Sequence, residues 1–308
     1  MIDIIMGTYN GEDYITEQIE SILKNNFRKT QILIRDDGSN DNTEKTINKL
    51  IMKYPDKIKF ISDNNKGLGA KGNFFELLKY VESEYVMFCD QDDYWLPEKI
   101  EKSFNKILDL EKNFGKNIPI AVGTNVIITD NELNPIEKQF MTINKHNLSL
   151  NNLLVENQFP GCTLIFNKAT LNLLKLISPD LIEMHDWACI LVAKTYGVLD
   201  YIEEPLIYYR QHANNISGAS DKTSTIYAIK KVLKTYKNKP YNMLFDQAEQ
   251  ILKLNENSYC LNVSPKLLVL KSFISMKNQK KYKKIYITIK YNYFKSGIFR
   301  KIGQLIFI

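Results

Sequence analysis

Cysteine is scarce in this sequence, and the four that occur lie far apart. They are spread over 308 residues and show no C-x-x-C spacing, which predicts reduced, buried thiols rather than disulfides or a zinc site. No uninterrupted apolar run approaches the length of a membrane span. The first residues also lack the basic region of a secretory signal. We therefore expect a cytoplasmic protein.

Acidic residues are absent from residue 257 to the end, where eleven lysines and arginines mix with Leu, Ile, Phe and Tyr. The whole chain carries a net charge of +6, so the residues before 257 are net acidic. Basic residues beside aromatic ones can bind RNA, anionic lipid or a lipid-linked diphosphate. No RNA-binding pattern is present, so we expect no nucleic acid, which leaves an anionic membrane surface or a lipid-linked diphosphate as the partner of this region. A solvated basic helical face is the alternative.

The first half of the chain alternates short apolar strands with amphipathic helices. Helix-like spacing occurs at Ile15–Leu23, at Ile47–Ile51 and at Phe74–Val81. This alternation predicts an α/β fold, a mostly parallel sheet flanked by helices, with ligands beyond the carboxyl ends of its strands. The predicted strands are Ile2–Met6, Gln31–Arg35, Ile58–Ile61 and Tyr85–Cys89.

Beyond Pro97 the pattern is weaker. Small polar residues around Ser217–Thr225 suggest a domain boundary, so we expect a catalytic domain over residues 1–216 and a mostly helical, basic extension over residues 217–308. Within the first domain, the pattern predicts a strand or hairpin at Ile118–Ile128, a strand at Gly161–Phe166, and helices near Leu171–Ile177 and Trp187–Ala193.

Three carboxylates, those of Asp90, Asp92 and Asp93, crowd the end of the fourth predicted strand. Two like charges ~5 Å apart repel by ~3 kcal/mol at an effective dielectric constant of ~20. A bound Mg²⁺ or Mn²⁺ would relieve this repulsion and hold a nucleotide diphosphate. A second pair, Asp36 and Asp37, could accept hydrogen bonds from a base or ribose. For either acidic group alone, a solvated turn is the commoner explanation.

A competing interpretation starts from Gly67-Leu-Gly-Ala-Lys-Gly72, which fits the dinucleotide-binding pattern G-x-G-x-x-G. That fingerprint normally lies tightly between the first strand and its helix. Here Asp63–Lys66 intervene and the strand is the third, so the context argues against a dinucleotide-dependent oxidoreductase.

Four motifs occur in a fixed order on four predicted strand ends. Together they resemble the family 2 glycosyltransferases with the GT-A fold, over roughly residues 1 to 215. The D-Q-D-D-x-W variant, preceded by Lys71-Gly-Asn-Phe74, is most similar to the rhamnosyltransferase-like subgroup. The motifs are Thr8-Tyr-Asn10, Asp36-Asp-Gly-Ser-Asn-Asp41, Asn65-Lys-Gly67 and Asp90-Gln-Asp-Asp-Tyr-Trp-Leu-Pro97.

The resemblance implies a role for each motif. Asp90 and Asp92 would form the metal and donor pair, with Asp92 as a direct ligand of Mn²⁺ or Mg²⁺. Lys71 would lie near the base or diphosphate. The nucleotide pocket would be lined by Thr8, Tyr9, Asn10, Asp36 and Asp37.

The resemblance extends to His185-Asp186-Trp187 and implies that Asp186 is the catalytic base. An inverting transfer requires such a base, because the attacking acceptor hydroxyl must lose its proton. The alternative is that Asp186 caps a helix beginning at Trp187, and the two roles can coexist.

The resemblance also implies roles for two further segments, on weaker matches. Gly161 resembles the glycine loop near the sugar donor, although a plain turn before a strand would also explain it. In Tyr208-Tyr-Arg-Gln-His-Ala-Asn-Asn215, Arg210 and His212 would approach the diphosphate or the metal.

These expectations describe an inverting glycosyltransferase of bacterial surface polysaccharide synthesis. The donor would be dTDP-rhamnose or a UDP-hexose, and the acceptor a saccharide or polyprenol-linked sugar. Because the acceptor of such an enzyme is often polyprenol-linked, the resemblance also favours peripheral attachment of the basic region to an anionic membrane surface, on the inner face of the cell membrane. The non-enzymatic alternative is an inactive nucleotide-sugar-binding or membrane-associated protein.

Overall fold

The computed structural model describes residues 1–137, 148–211, 241–255 and 264–308. These residues fall into two compact units. The first contains residues 1–137, 159–179 and 184–211, and the second contains residues 148–158, 180–183, 241–255 and 264–308. The predicted boundary at residue 216 lies outside the described residues and stays a prediction.

Nine strands of the described chain form one mixed sheet in the first unit. Their order is β3-β2-β1-β4-β8-β6-β9-β5, with β7 paired to β6. The strands are β1 Ile2–Thr8, β2 Thr30–Asp36, β3 Ile58–Phe60, β4 Tyr85–Cys89, β5 Tyr94–Trp95, β6 Ile120–Thr129, β7 Pro135–Glu137, β8 Ile165–Asn167 and β9 Val198–Arg210.

Helices flank this sheet, so the predicted α/β class is confirmed. Those of the first unit are α1 Ile15–Leu23, α2 Thr43–Lys53, α3 Gly69–Lys79, α4 Lys99–Phe114, α6 Lys168–Leu174 and α7 His185–Tyr196; α5, Leu150–Leu153, belongs to the second unit.

The half of the sheet formed by β1 to β4 is parallel, and its register defines the functional edge. Thr8 pairs with Asp36, and Met6 pairs with Cys89, so β1, β2 and β4 end side by side. Ile2, Ile4, Ile5 and Met6 of β1 are fully buried, as expected for a strand covered on both faces. The expectation that these polar strand ends share one edge is therefore confirmed.

The segment Gly161–Phe166, predicted as a strand, is one only in its last part. Gly161–Thr163 forms a single turn of 3₁₀-helix before β8. The Thr163 hydroxyl and its backbone N–H both donate to the Pro160 carbonyl, at 2.7 and 3.0 Å. These bonds close the turn and delay the strand to Ile165.

The second unit is built from helices around an aromatic cluster. Phe245, Phe273 and Tyr293 are fully buried. The ring centroids of Phe245 and Phe273 are 5.1 Å apart, and those of Phe273 and Tyr293 are also 5.1 Å apart. Its longer helices are α8 Asn242–Lys253, α9 Pro265–Ile274, α10 Lys281–Tyr291 and α11 Ile298–Phe307. Among the described residues, no helix has the length and apolar character needed to cross a bilayer.

Arg35 joins the parts of the first unit that lie behind the functional edge. Its buried guanidinium donates to both carboxylate oxygens of Asp63, at 2.8 and 2.9 Å, to Asp37 at 3.2 Å and to the Asn73 side chain at 2.9 Å. One side chain thus connects β2 to the segment after β3 and to α3. Charge-assisted, bidentate bonds of this kind fix geometry strongly.

We expect Arg35→Met to destabilise the protein by about 3–5 kcal/mol, because it leaves two carboxylates without their shared partner. Urea unfolding followed by circular dichroism measures this. Lys53→Met is the matched control: it removes the ion pair with Glu20, in which Lys53 is 58% exposed, and should cost less than about 1 kcal/mol. Equal shifts for the two variants would contradict the role assigned to Arg35.

Candidate functional site

Gln91 ties the end of β1 to the end of β4. The Tyr9 N–H donates to Gln91 Oε1 at 2.9 Å, and Gln91 Nε2 donates back to the Tyr9 carbonyl at 3.0 Å. A Cβ at Gly11 would lie 2.3 Å from Gln91 Oε1, so only glycine permits this approach. The segments predicted to contact the nucleotide and the metal are therefore direct neighbours.

Asp36 organises the loop that follows β2. One carboxylate oxygen accepts from the hydroxyls of Thr8 and Ser39, at 2.8 and 2.6 Å. The other accepts from the backbone N–H groups of Gly38 and Ser39. Asn10, whose φ is positive at 48°, donates its N–H to Ser39 Oγ at 2.8 Å. Thr8, Asn10 and Asp36 thus shape the edge, while the Tyr9 side chain is 55% exposed beside them.

Asp37 has a different position from Asp36, because its side chain lies at the N-terminus of α3. The buried carboxylate accepts from the N–H groups of Leu68 and Gly69, at 3.0 and 2.8 Å. A negative group is favourable there. This is also where a dinucleotide pyrophosphate would bind in the G-x-G-x-x-G interpretation, so Asp37 counts against that alternative. Lys71, in the first turn of α3, is partly exposed.

The acidic cluster after β4 includes Asp93 and Cys162, to which the motif alone assigned no role. Ligand atoms of Asp90, Asp93 and Cys162 all lie within 4.8 Å of one another. Asp93 and Cys162 are buried, whereas Asp90 and Asp92 are partly exposed. Carboxylate oxygens suit Mg²⁺ and Mn²⁺. The Cys162 thiol does not, since burial raises its pKa well above the ordinary value.

Asp186, which is almost a hundred residues away in sequence, adds its charge to this cluster. Burial, with repulsion from Asp92 and Asp186, raises the pKa of Asp90 to about 7. Burial and the neighbouring Asp92 and Asp90 likewise raise the pKa of Asp93 well above its usual range. The fold therefore gathers carboxylates whose simultaneous ionisation is unfavourable without a cation.

Asp186 lies in the first turn of α7 and is 7% exposed. The helix begins at His185 and its N-cap is Met184, without a side-chain cap. Asp186 is therefore inside the helix and is not the N-cap of a helix beginning at Trp187, so that alternative is wrong. A Cβ at Gly161 would be 3.5 Å from the Asp186 Cβ, so the turn predicted as a donor-site glycine loop does approach this carboxylate closely.

His185 fixes the start of α7, a role that the sequence did not reveal. Its ring stacks on Phe74 of α3 with centroids 3.9 Å apart and meets the edge of Phe88 of β4 at 4.7 Å. Within the part of the chain that the structure describes, neither ring nitrogen has a hydrogen-bond partner. Burial lowers the His185 pKa to about 3, so the imidazole is neutral and orients Asp186 by packing. The only sequence signal was its position next to Asp186.

Arg210, predicted to contact the diphosphate, clamps the acidic segment instead of projecting into solvent. The residue is 4% exposed. Its N–H donates to Asp93 Oδ1 at 3.1 Å, its Nε donates to the Asp92 carbonyl at 2.8 Å, and its guanidinium pairs with Glu17. A contact with the donor stays a prediction. His212 lies outside the described residues.

Lys99 places a positive charge inside the protein near the acidic cluster. It is fully buried, its ammonium lies 4.4 Å from the Trp95 ring centroid, and Nζ has no hydrogen-bond partner among the described residues. Burial lowers its pKa to about 8, while Cys162, Cys89 and Asp93 favour the charged form. This burial could not be predicted from the sequence, because a lysine after Pro97-Glu98 is typical of an exposed helix start.

The buried Lys99 should leave a signature in the pH dependence of stability. Its folded pKa of about 8 is below the unfolded value of about 10.5, so the unfolded chain binds more protons between these values and stability rises with pH. From pH 7 to 10 the wild type should gain about 2 kcal/mol relative to Lys99→Met. Urea unfolding in EDTA at several pH values measures this. Parallel curves for the two proteins would contradict it.

Comparisons with known proteins agree with this geometry. The sequence model described as glycosyl transferase family 2 matches residues 3–172. The dTDP-rhamnosyl transferase RfbG of Shigella flexneri is 32% identical over 225 residues, which are 70% of this chain and 74% of that protein. The UDP-Glc:alpha-D-GlcNAc-diphosphoundecaprenol beta-1,3-glucosyltransferase WfgD of Escherichia coli is 31% identical over 56% of this chain and 62% of its own length.

Solved structures with little sequence identity share the fold. Staphylococcus aureus TarS in complex with UDP-GlcNAc has a TM-score of 0.56 and 16% identity, covering 93% of this chain and 83% of that one. The mannosyltransferase PcManGT from Pyrobaculum calidifontis, in complex with GDP-Man and Mn²⁺, has a TM-score of 0.52 and 13% identity over 94% and 84% of the two chains. The expected GT-A fold is confirmed.

Proposed function

This chain belongs to glycosyl transferase family 2, and we propose that it is a metal-dependent, inverting transferase of bacterial surface polysaccharide synthesis. It takes a sugar from a nucleotide diphosphate donor and passes it to a saccharide or polyprenol-linked acceptor. The observation that carries this proposal is the proximity of Asp186 to the Asp90 cluster, across nearly a hundred residues of sequence. Transfer with inversion needs both: the Asp90 cluster would hold the metal that binds the leaving diphosphate, and Asp186 would take the proton of the acceptor hydroxyl.

Asp186 is the proposed general base. An acceptor hydroxyl attacks the anomeric carbon on the side opposite the departing diphosphate and gives its proton to the Asp186 carboxylate. The packing of His185 against Phe74 and Phe88 keeps this carboxylate in place. Its low exposure also limits access of bulk water, which favours transfer over hydrolysis of the donor.

Asp90 and Asp92 are the proposed ligands for Mn²⁺ or Mg²⁺, with buried Asp93 supporting the segment from behind. When bound, the ion would neutralise charge on the departing diphosphate. The carboxylate set fits a hard cation, and burial together with the charges of Asp92 and Asp186 raises the pKa of Asp90. The Mn²⁺ in the PcManGT complex supports this assignment.

The donor proposal follows the relatives. RfbG is a dTDP-rhamnosyl transferase and WfgD uses UDP-Glc, so dTDP-rhamnose is our first candidate and a UDP-hexose our second. We propose that Tyr9 and Lys71 contact the nucleotide, because they lie at or beside the carboxyl edge of β1 and β2, while Asp36 shapes the loop beside them through its four hydrogen bonds. Asp37 would act through the loop it holds. The basic C-terminal region is the proposed contact with an anionic membrane surface.

We expect Asp186→Asn to lower transfer by a factor of 10² to 10⁴, because the acceptor proton then has no carboxylate to receive it. Radiolabelled sugar transfer measures this, and nucleotide-induced thermal stabilisation should remain as in the wild type. Asp109→Asn, at a site that is 66% exposed, is the control and should behave as the wild type. Normal turnover by Asp186→Asn would exclude this residue as the base. A wild type that binds donors but transfers no sugar would favour the non-enzymatic alternative.

We also expect a metal requirement that depends on Asp92. Donor binding, followed as the rise in melting temperature on adding dTDP-rhamnose or UDP-glucose, should disappear in EDTA and return with Mn²⁺ or Mg²⁺. Asp92→Asn should need at least tenfold more metal for the same rise, because one charged ligand is lost. Full transfer activity of the wild type in EDTA would contradict metal dependence.

A further inference from the structure

Helix α11 turns a polar side chain inward. Gln304 is fully buried, its Nε2 donates to the Tyr293 carbonyl at 2.6 Å, and its Oε1 accepts from the Lys295 N–H at 3.0 Å. Gly303 beside it is buried as well. Two hydrogen bonds from one side chain to a neighbouring segment fix the rotation of the helix about its axis.

The apolar residues of α11 consequently face outward. Ile298, Ile302 and Ile306 follow one another at intervals of four, and Phe299 lies on the same arc of the helix. These four side chains are between 50% and 68% exposed. An ordinary surface helix has the opposite arrangement, with its apolar stripe against the core. A contiguous apolar surface of this kind marks a contact with a membrane or another molecule.

Helix α10 repeats the inversion. Thr288 is its buried residue, with the hydroxyl 3.7 Å from the sulfur of Met276. Tyr282, Tyr286 and Ile289 share one face at spacings of four and three, and are between 57% and 64% exposed. Lys281 at the start of α10 donates to the Ile306 carbonyl at 2.5 Å, so the first turn of α10 lies beside the last turn of α11.

The charge around these helices selects the partner. No acidic residue occurs from residue 257 to the end, whereas α10 and its N-cap carry five lysines and α11 carries Lys301. The charge of Arg300, also in α11, is paired with Glu156. A second copy of the chain would bring two basic surfaces together, which is unfavourable. An anionic bilayer complements the charge, and Tyr, Phe and Ile are suited to its interface.

We propose that α10 and α11 lie in the plane of an anionic membrane, with Ile298, Phe299, Ile302 and Ile306 inserted at the boundary between headgroups and acyl chains. Lysines alone would give attachment that salt reverses, because exposed charges are screened within about 8 Å at physiological ionic strength. Insertion adds a contribution that salt does not screen. This deepens the membrane contact named under the proposed function, and it does not depend on which donor or base is used.

Vesicle co-sedimentation of the full-length protein tests the proposal. The probes are vesicles of phosphatidylcholine alone and of phosphatidylcholine with phosphatidylglycerol. We expect wild type to bind the anionic vesicles and to stay partly bound in 0.5 M NaCl. Ile302→Asn with Ile306→Asn should reduce the partition coefficient at least tenfold, because two apolar side chains lose their burial.

The matched control removes two exposed apolar side chains elsewhere, with Met52→Asn and Leu176→Asn at sites 78% and 55% exposed, and should bind vesicles as the wild type does. Unchanged melting temperatures exclude misfolding, and equal donor hydrolysis without lipid separates this test from that of the proposed function. Equal binding by the α11 variant, or failure of the wild type to bind anionic vesicles, overturns the proposal. Sedimentation velocity gives a further test. If the wild type is a dimer and the α11 variant is a monomer, the apolar face is a protein contact, and the membrane proposal is overturned.

Discussion

Mutual repulsion among carboxylates is the constraint on which the rest of this site depends. Asp90, Asp92 and Asp93 follow one strand, and Asp186 adds a fourth negative group from α7. Three buried features hold these carboxylates together: the strand β4, the hydrogen bonds from Arg210 to Asp92 and Asp93, and the ammonium group of Lys99. These positive groups leave part of the negative charge at the end of β4 uncompensated, and a bound cation would supply the balancing charge for the carboxylates and for a donor diphosphate.

The polar residues at this edge divide into those that build the frame and those whose side chains are open to a ligand. Asp37, Arg210 and Asp36 have most of their hydrogen-bonding capacity used within the protein. Tyr9, Asp92 and Lys71 are partly or largely exposed. Substitution of a frame residue should therefore change geometry and stability together with activity, whereas substitution of an exposed residue should act on ligand affinity. The family motif contains both kinds without distinguishing them.

The parts that could be predicted from sequence were those decided by local patterns. The limits of β4 and α1 follow directly from apolar periodicity, and the shared edge follows from parallel pairing. A plain turn at Gly161 is compatible with the sequence, but its extension to Thr163 and the later start of β8 could not be predicted, because the bonds to Pro160 compete with strand pairing over the same residues. Nor could the burial of Lys99, the packing of His185 or the capping of α3 by Asp37, since each depends on neighbours that are distant in sequence.

The C-terminal helices show a further limit of sequence patterns. Periodicity tells which residues share a helical face, but it does not tell whether that face points to the core or to the outside. In α11 the direction is set by Gln304, whose two hydrogen bonds would be lost if the helix rotated to bury its isoleucines. The carbonyl of fully buried Tyr293 would then lose its partner, which is costly, so rotation is opposed even though it would hide apolar surface from water. The apolar face is therefore held outward in the free protein and needs no rearrangement before it meets a bilayer, which lowers the conformational cost of attachment.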